Sequence, residues 1–163
     1  MFLMKWKSSK EGISIIEILV VIAIIIIALI SLFGLITFSL RISTLVKETA
    51  QANNLAQETI EAVRNFRDGT EWETDGLGTL ATSAAYHPDK SGDVPPKWQL
   101  ILGEETIDYF TRRVVFDEVY RDANDNIVEV GGTLDPNTRK ITTTISWKDE
   151  EVKIITYLTN WGP

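Results

Sequence analysis

The sequence contains no cysteine and a single histidine, His87, among its 163 residues. Without cysteine there is no disulfide framework, no thiol nucleophile and no cysteine-ligated zinc site, and one histidine cannot form a multi-histidine metal cluster. The chain also lacks the glycine-rich patterns that hold phosphates or dinucleotides. We therefore expect no cofactor and no enzymatic activity of these kinds.

Positive charge is scarce beyond residue 40. Residues 41–163 contain 13 Lys and Arg against 21 Asp and Glu, a net formal charge of −8. Proteins that bind nucleic acid need clustered Lys and Arg to neutralise phosphates. The acidic C-terminal part therefore predicts no nucleic-acid partner.

Residues 18–40 form an apolar segment with no charged residue and no histidine. At about 1.5 Å per residue, a helix of this length spans roughly 35 Å, enough to cross a hydrocarbon core of about 30 Å. A cleaved secretory signal has a shorter core followed by an A-x-A-like site, which is missing here. The apolar segment predicts one transmembrane helix.

The flanking charges predict the orientation of this helix. Lys5, Lys7 and Lys10 precede the apolar segment, whereas only Arg41 and Lys47 follow it closely. Positive residues stay on the cytoplasmic side of a membrane helix. We expect the N-terminus in the cytoplasm and the acidic C-terminal part outside the inner membrane.

One carboxylate, Glu17, interrupts the apolar sequence that follows Gly12. An ionisable group costs about 2.5–3.5 kcal/mol at the centre of a membrane helix and usually has a partner. In one interpretation Glu17 reaches the cytoplasmic headgroups or offsets Lys10. In the other, a basic leader followed by Gly12, Ser14, Glu17 and an apolar helix resembles the class III signal of type IV pilins and type II secretion pseudopilins, G-F-[ST]-x-x-E. Ile13 stands where that family usually has Phe.

The resemblance implies a processing site and a mode of assembly. Residues 1–12 would be a leader that a prepilin peptidase removes between Gly12 and Ile13, and Ile13 would then be N-methylated. Glu17 would pair with the terminal amine of a neighbouring subunit, because a buried ion pair can fix register. The implied partners are other pilin or pseudopilin subunits, the inner-membrane assembly platform and the lipid bilayer.

The helix continues beyond the membrane. Apolar residues recur at spacings of three and four from Ile42 to Phe66, which indicates an amphipathic helix, and Asp68 and Gly69 provide a stop. We predict a helix over residues 13–66, with 13–40 as the transmembrane or filament core and 41–66 as the amphipathic half.

Residues 67–163 predict a loop followed by a sheet. Residues 67–97 are rich in Gly and Pro and predict a variable loop with an exposed His87 and at most a short helix near residues 80–85. In residues 98–163, apolar and polar residues alternate in short runs separated by turn residues, which predicts an antiparallel sheet of three to five strands. The predicted strands are residues 98–102, 106–121, 127–130, 140–147 and 152–161, and the predicted turns include residues 135–138.

These elements predict an α+β fold in which the long helix packs on a small antiparallel sheet. The resemblance implies the pilin-like lollipop form of that fold. The patterns of residues 141–147 and 154–161 are similar to those of minor pilins of the type IV pilus modification class.

Two patterns in the sheet region leave alternatives open. Asp122, Asn124 and Asn126 match the first half of a calcium loop, but Ile127 and Thr133 replace its essential Gly and Glu, which favours a plain turn. The five tryptophans favour core or rim packing over a binding platform.

The sequence thus predicts a structural subunit, a minor pilin or pseudopilin of a type IV pilus or secretion pseudopilus. The alternative is a signal-anchored inner-membrane protein whose extracytoplasmic domain binds a ligand or catalyses a reaction.

Overall fold

A computed structural model describes Gly12 and residues 14–161, so residues 1–11 of the predicted leader and Ile13 lie outside the described residues. The described range contains one long helix, α1 (Ile15–Asp68), a 3₁₀ turn (Leu77–Thr79) and a sheet. The strands are β1 (Ala85–Lys90), β2 (Trp98–Leu102), β3 (Glu105–Ile107), β4 (Phe110–Arg121), β5 (Ile127–Val128), β6 (Thr133–Trp147) and β7 (Glu150–Thr159). The fold class is α+β, as the sequence predicts.

Local sequence explains both ends of α1. The carbonyl of Ser14 accepts hydrogen bonds from the backbone N–H groups of Glu17, at 3.0 Å, and Ile18, at 3.3 Å, which starts the first turn. No proline interrupts the helix. At the other end the N–H of Gly69 donates to the carbonyl of Asn65 at 3.0 Å. The helix therefore ends at Asp68, two residues after the predicted end.

The chain divides into two units between Val46 and Lys47. In the N-terminal unit every described large apolar side chain from Ile15 to Val46 is at least 40% exposed. Helix α1 is the one described helix long and apolar enough to cross a membrane, with a mean hydropathy of 3.3 in its most apolar part. The predicted membrane helix thus has the length and the uncovered surface that lipid contact requires.

The C-terminal unit, described over residues 47–161, is built on an antiparallel sheet with strand order β2-β1-β4-β6-β7. Strands β3 and β5 pair with opposite ends of β4. A turn at Asp108, where φ is +56°, separates β3 from β4, so the single strand predicted over residues 106–121 is two strands.

The core of this unit lies between the sheet and the buried face of the C-terminal part of α1. Small side chains, Ala52 and Ala56, are fully buried and let the helix lie close to the strands. Each large apolar side chain that is fully buried contributes about 1.5–3 kcal/mol. Two clusters form the core: Val63, Phe66, Trp72, Leu77, Tyr86, Val114, Phe116, Ile141 and Leu158 in one, and Ala52, Ala56, Phe110, Ile145 and Trp147 in the other.

A register shift in the sheet corrects a predicted turn. The pairing of β4 with β6 is irregular between Glu118 and Val119, and beyond this point Val119 is buried and Tyr120 is exposed. Residues 135–138, predicted as a turn, lie inside β6 at this bulge. Pro136 fits there because a bulge does not require its missing N–H.

The segment 67–97, predicted as a loop, contains the 3₁₀ turn and β1. His87 lies in β1 and is half-buried, not in an exposed loop, with its Nδ1 3.2 Å from the carbonyl oxygen of Gly103. Pro88 is tolerated in this strand because it pairs with Leu100 of β2 and has no partner in β4. No helix forms over the described residues 80–85.

Candidate functional site

Gly12 lies in exposed, non-helical backbone before the start of α1. A Cβ added at this glycine would meet no atom within 4 Å among the described residues. Ile13, the predicted other side of the cleavage site and the predicted methylation site, is outside the described residues. The helix begins at Ile15, so Gly12 lies outside the regular helix.

Glu17 lies in the first turn of α1 and is exposed. The first turn leaves backbone N–H groups without helical partners, and the helix dipole there favours a negative charge. Within the described part of the chain, no Lys or Arg forms a salt bridge with this carboxylate. Because Glu17 is exposed, a cation that is not among the described residues can reach its carboxylate oxygens.

Sequence reasoning missed a second acid on α1, Glu48. Glu48 is only 9% exposed and accepts hydrogen bonds from Trp147 Nε1 at 3.2 Å and from Lys148 Nζ at 2.6 Å. The spacing offered a signal, because Glu48 lies three residues after Leu45 and four before Ala52, on the buried stripe itself. Glu48 joins the helix to the β6–β7 hairpin.

The adjacent carboxylates Glu104 and Glu105 have different arginine partners. Glu105 forms a salt bridge with the buried Arg112, whereas Glu104 lies 3.5 Å from Arg113 Nη1. Glu105 begins β3 and Glu104 precedes it, and each acid is directed toward its own arginine. This arrangement does not provide the facing carboxylates that glycoside hydrolysis requires.

The calcium candidate has the hydrogen bonds of a turn. Asp122 Oδ1 accepts backbone N–H groups from Asn124 at 2.8 Å and Asn126 at 2.9 Å, and Oδ2 accepts Asn126 Nδ2 at 3.1 Å. These bonds, first that of the Asn126 side chain, lower the pKa of Asp122 below its ordinary value. Among the described residues no group of three or more His, Asp or Glu is placed to hold a metal ion. Both carboxylate oxygens of Asp122 already accept hydrogen bonds within the turn.

Beyond the end of α1 lies a groove of about 860 Å³, here called the terminal groove. Its floor includes the buried Trp72, whose Nε1 donates to the carbonyl of Pro136 at 3.0 Å. Its rim includes Trp161, which is 68% exposed and lies 5.3 Å from the guanidinium carbon of Arg67. The terminal groove is lined by residues 67–68, 70–74 and 160–161. It is a concave surface of the size that small ligands occupy.

Comparison with known proteins found no match to this chain: no family model, no curated protein and no solved structure.

Proposed function

We propose that this chain is a structural, non-enzymatic subunit, a minor pilin or pseudopilin, that assembles through its apolar helix into a type IV pilus or secretion pseudopilus. The observation that carries the proposal is the arrangement at the start of α1. An accessible Gly12 precedes a helix whose first turn holds Glu17, and uninterrupted apolar surface comes after it. The resemblance of this segment to the class III signal rests on the same residues.

The apolar surface supports assembly through the helix. Its side chains are uncovered from Ile15 to Val46, so either lipid or neighbouring helices must cover them. A monomer in the inner membrane would cover this surface with lipid, and a filament would cover it with the same segment of other subunits. The proposed orientation places the N-terminus in the cytoplasm and the C-terminal unit outside.

The proposed role of Glu17 rests on the cost of a charge in an apolar environment. Cleavage after Gly12 would create an α-amine on Ile13, whose ordinary pKa of about 7.7–8.0 leaves it largely cationic near pH 7. A neighbouring subunit's amine would neutralise Glu17 when the helix leaves the membrane for the filament core. This pairing would set the axial register between subunits.

The experiment is intact-mass and N-terminal analysis of the full chain, expressed with and without a prepilin peptidase and extracted from the membrane. We expect a chain beginning at Ile13, with or without an N-methyl group, only when the peptidase is present. Gly12→Leu should block cleavage, because its side chain fills the space at the scissile bond. Gly34→Leu, which changes an equally uncrowded glycine inside α1, should leave cleavage unchanged.

Filament incorporation tests the role of Glu17 separately. Glu17→Ala should be inserted and cleaved normally but should enter sheared filaments at a lower level than the unaltered chain. An uncut chain in cells that contain the peptidase would refute the proposed function. Unchanged incorporation of Glu17→Ala would refute the pairing with the amine.

The second candidate function is a signal-anchored membrane protein with a ligand-binding domain. The terminal groove favours it, since a filament subunit needs no such cavity. An uncut leader together with ligand binding in the groove would support this alternative.

A further inference from the structure

The terminal groove presents an aromatic surface that the fold of the C-terminal unit does not use. Trp72 and Trp147 are 7% and 3% exposed and belong to the core, whereas Trp161 is 68% exposed. Arg67 lies against the Trp161 ring at 5.3 Å and is itself held by Asp68 through a 2.8 Å ion pair. The indole is therefore positioned, with much of its apolar surface still in water.

Other residues that line the groove are also held by hydrogen bonds. The backbone N–H of Glu71 donates to Asp75 Oδ1 at 2.8 Å, and the buried Trp72 holds the same turn against the carbonyl of Pro136. Asn160 is tied to Asn137 through its backbone N–H at 2.7 Å. A preformed groove loses little conformational entropy when a ligand binds.

The polar groups of the groove combine acceptors with donors. Glu71 and Glu73 are exposed, and within residues 14–161 neither forms a salt bridge. Arg67 and the side-chain amide of Asn160 are donors, and the amide, which already donates to Asn137 Oδ1 at 3.3 Å, has a second N–H. Three carboxylates, those of Asp68, Glu71 and Glu73, outnumber one guanidinium, so the groove repels anions such as phosphates and acidic glycans.

We propose that the terminal groove binds an uncharged saccharide. A sugar ring has an apolar C–H face that packs on an indole, and its hydroxyl groups donate to carboxylates and accept from guanidinium and amide N–H groups. The volume of about 860 Å³ lies within the range of about 300–1,000 Å³ found for small-molecule sites. The surplus of carboxylates also attracts a basic peptide, but Arg67 already occupies the cation position beside the indole, so such a peptide would lack that contact.

Titration of the full chain in detergent micelles, monitored by tryptophan fluorescence and calorimetry, tests this proposal. The probes are N-acetylchitotriose, cellotetraose and maltotetraose as neutral saccharides, with polygalacturonate and tetralysine as charged comparisons. We expect saturable binding of at least one neutral saccharide and none of the charged probes. Trp161→Ala should weaken that binding by about tenfold or more, because the stacking surface is lost.

The control variant is Tyr157→Ala, which removes another exposed aromatic from β7 and should leave saccharide affinity unchanged. Glu71→Ala, at an exposed position where the fold is not at risk, should also weaken binding by several-fold. The proposal is overturned if no neutral saccharide binds, if binding is equal in Trp161→Ala, or if tetralysine binds in its place. None of these outcomes depends on cleavage of the leader, so they are separate from the test of filament assembly.

Discussion

At the scale of single residues, charge pairs connect different segments of the C-terminal unit. The hydrogen bond from Lys148 lowers the pKa of Glu48 below its ordinary value, and Glu48 in turn raises the pKa of Lys148. Arg121 likewise lowers the pKa of Asp135, at the bulge of β6. In both pairs the folded state favours the ionised acid, so folding and protonation are coupled.

The direction of these shifts predicts acid sensitivity. A carboxyl group whose pKa is lower in the folded state stabilises that state fully above its unfolded pKa, and the stabilisation is lost as pH falls through the folded pKa. We expect the urea midpoint of the full chain in detergent to be constant near neutral pH and to fall below about pH 4.5. Circular dichroism at a series of pH values measures it.

Glu48→Gln tests whether this particular pair is responsible. The variant should be less stable than the unaltered chain at pH 7 and should lose less stability on acidification, with the remaining dependence due to Asp135 and other acids. Glu61→Gln, which removes an exposed acid paired with Arg64, is the control and should retain the full pH dependence. An unaltered pH profile in Glu48→Gln would contradict this explanation.

At the scale of elements, α1 has two different surfaces along its length. From Ile15 to Val46 its large apolar side chains are all exposed, whereas from Glu48 to Phe66 one face is buried against the sheet. Ala52 and Ala56 are fully buried in the cluster with Phe110, Ile145 and Trp147. Close approach of the helix to β4 and β6 therefore depends on small residues at these positions.

Enlarging one of these alanines should separate the helix from the sheet. We expect Ala56→Leu to lower the free energy of unfolding by about 1–3 kcal/mol, because overpacking forces strained rotamers or shifts of the backbone. Ala50→Leu makes the same change on the exposed face of the same helix and should alter stability by less than about 0.5 kcal/mol. Urea unfolding measures both, and equal effects would show that the helix does not pack as described.

At the scale of the whole molecule, the division between Val46 and Lys47 separates the uncovered apolar surface from the hydrophobic core. Both core clusters lie entirely within the C-terminal unit, and the long uncovered apolar surface of α1 lies N-terminal to it. A domain with its own core can fold without a neighbouring segment that contributes nothing to that core. We therefore expect the C-terminal unit to fold without the apolar part of α1.

Two fragments test this division. Residues 44–163 should be soluble without detergent and fold cooperatively, since the fragment keeps all core residues and omits the most apolar surface. Residues 69–163 should fail to fold, because they lack the helical side chains that cover the sheet, including Val63 and Phe66. Size-exclusion chromatography and near-ultraviolet circular dichroism distinguish the outcomes. A folded 69–163 fragment would show that the helix is not an essential half of the core.

The sequence alone determined the features that depend on local composition. Hydrophobic runs and periodicities within short stretches of sequence were enough to predict four features. These are the membrane-length helix, its amphipathic continuation, strand β2 and the α+β class. The pattern of Gly12 and Glu17 is likewise local: Gly12 precedes α1, and Glu17 lies in its first turn.

Only the tertiary structure decided the features that join distant residues. Glu48 meets Trp147 across 99 positions, and Trp72 meets Pro136 across 64. The bulge that buries Val119 depends on the register of β6, and β1 is a strand because β2 and β4 supply its partners. Burial and pairing of this kind arise from the chain folding back on itself, so no local window of sequence contains them.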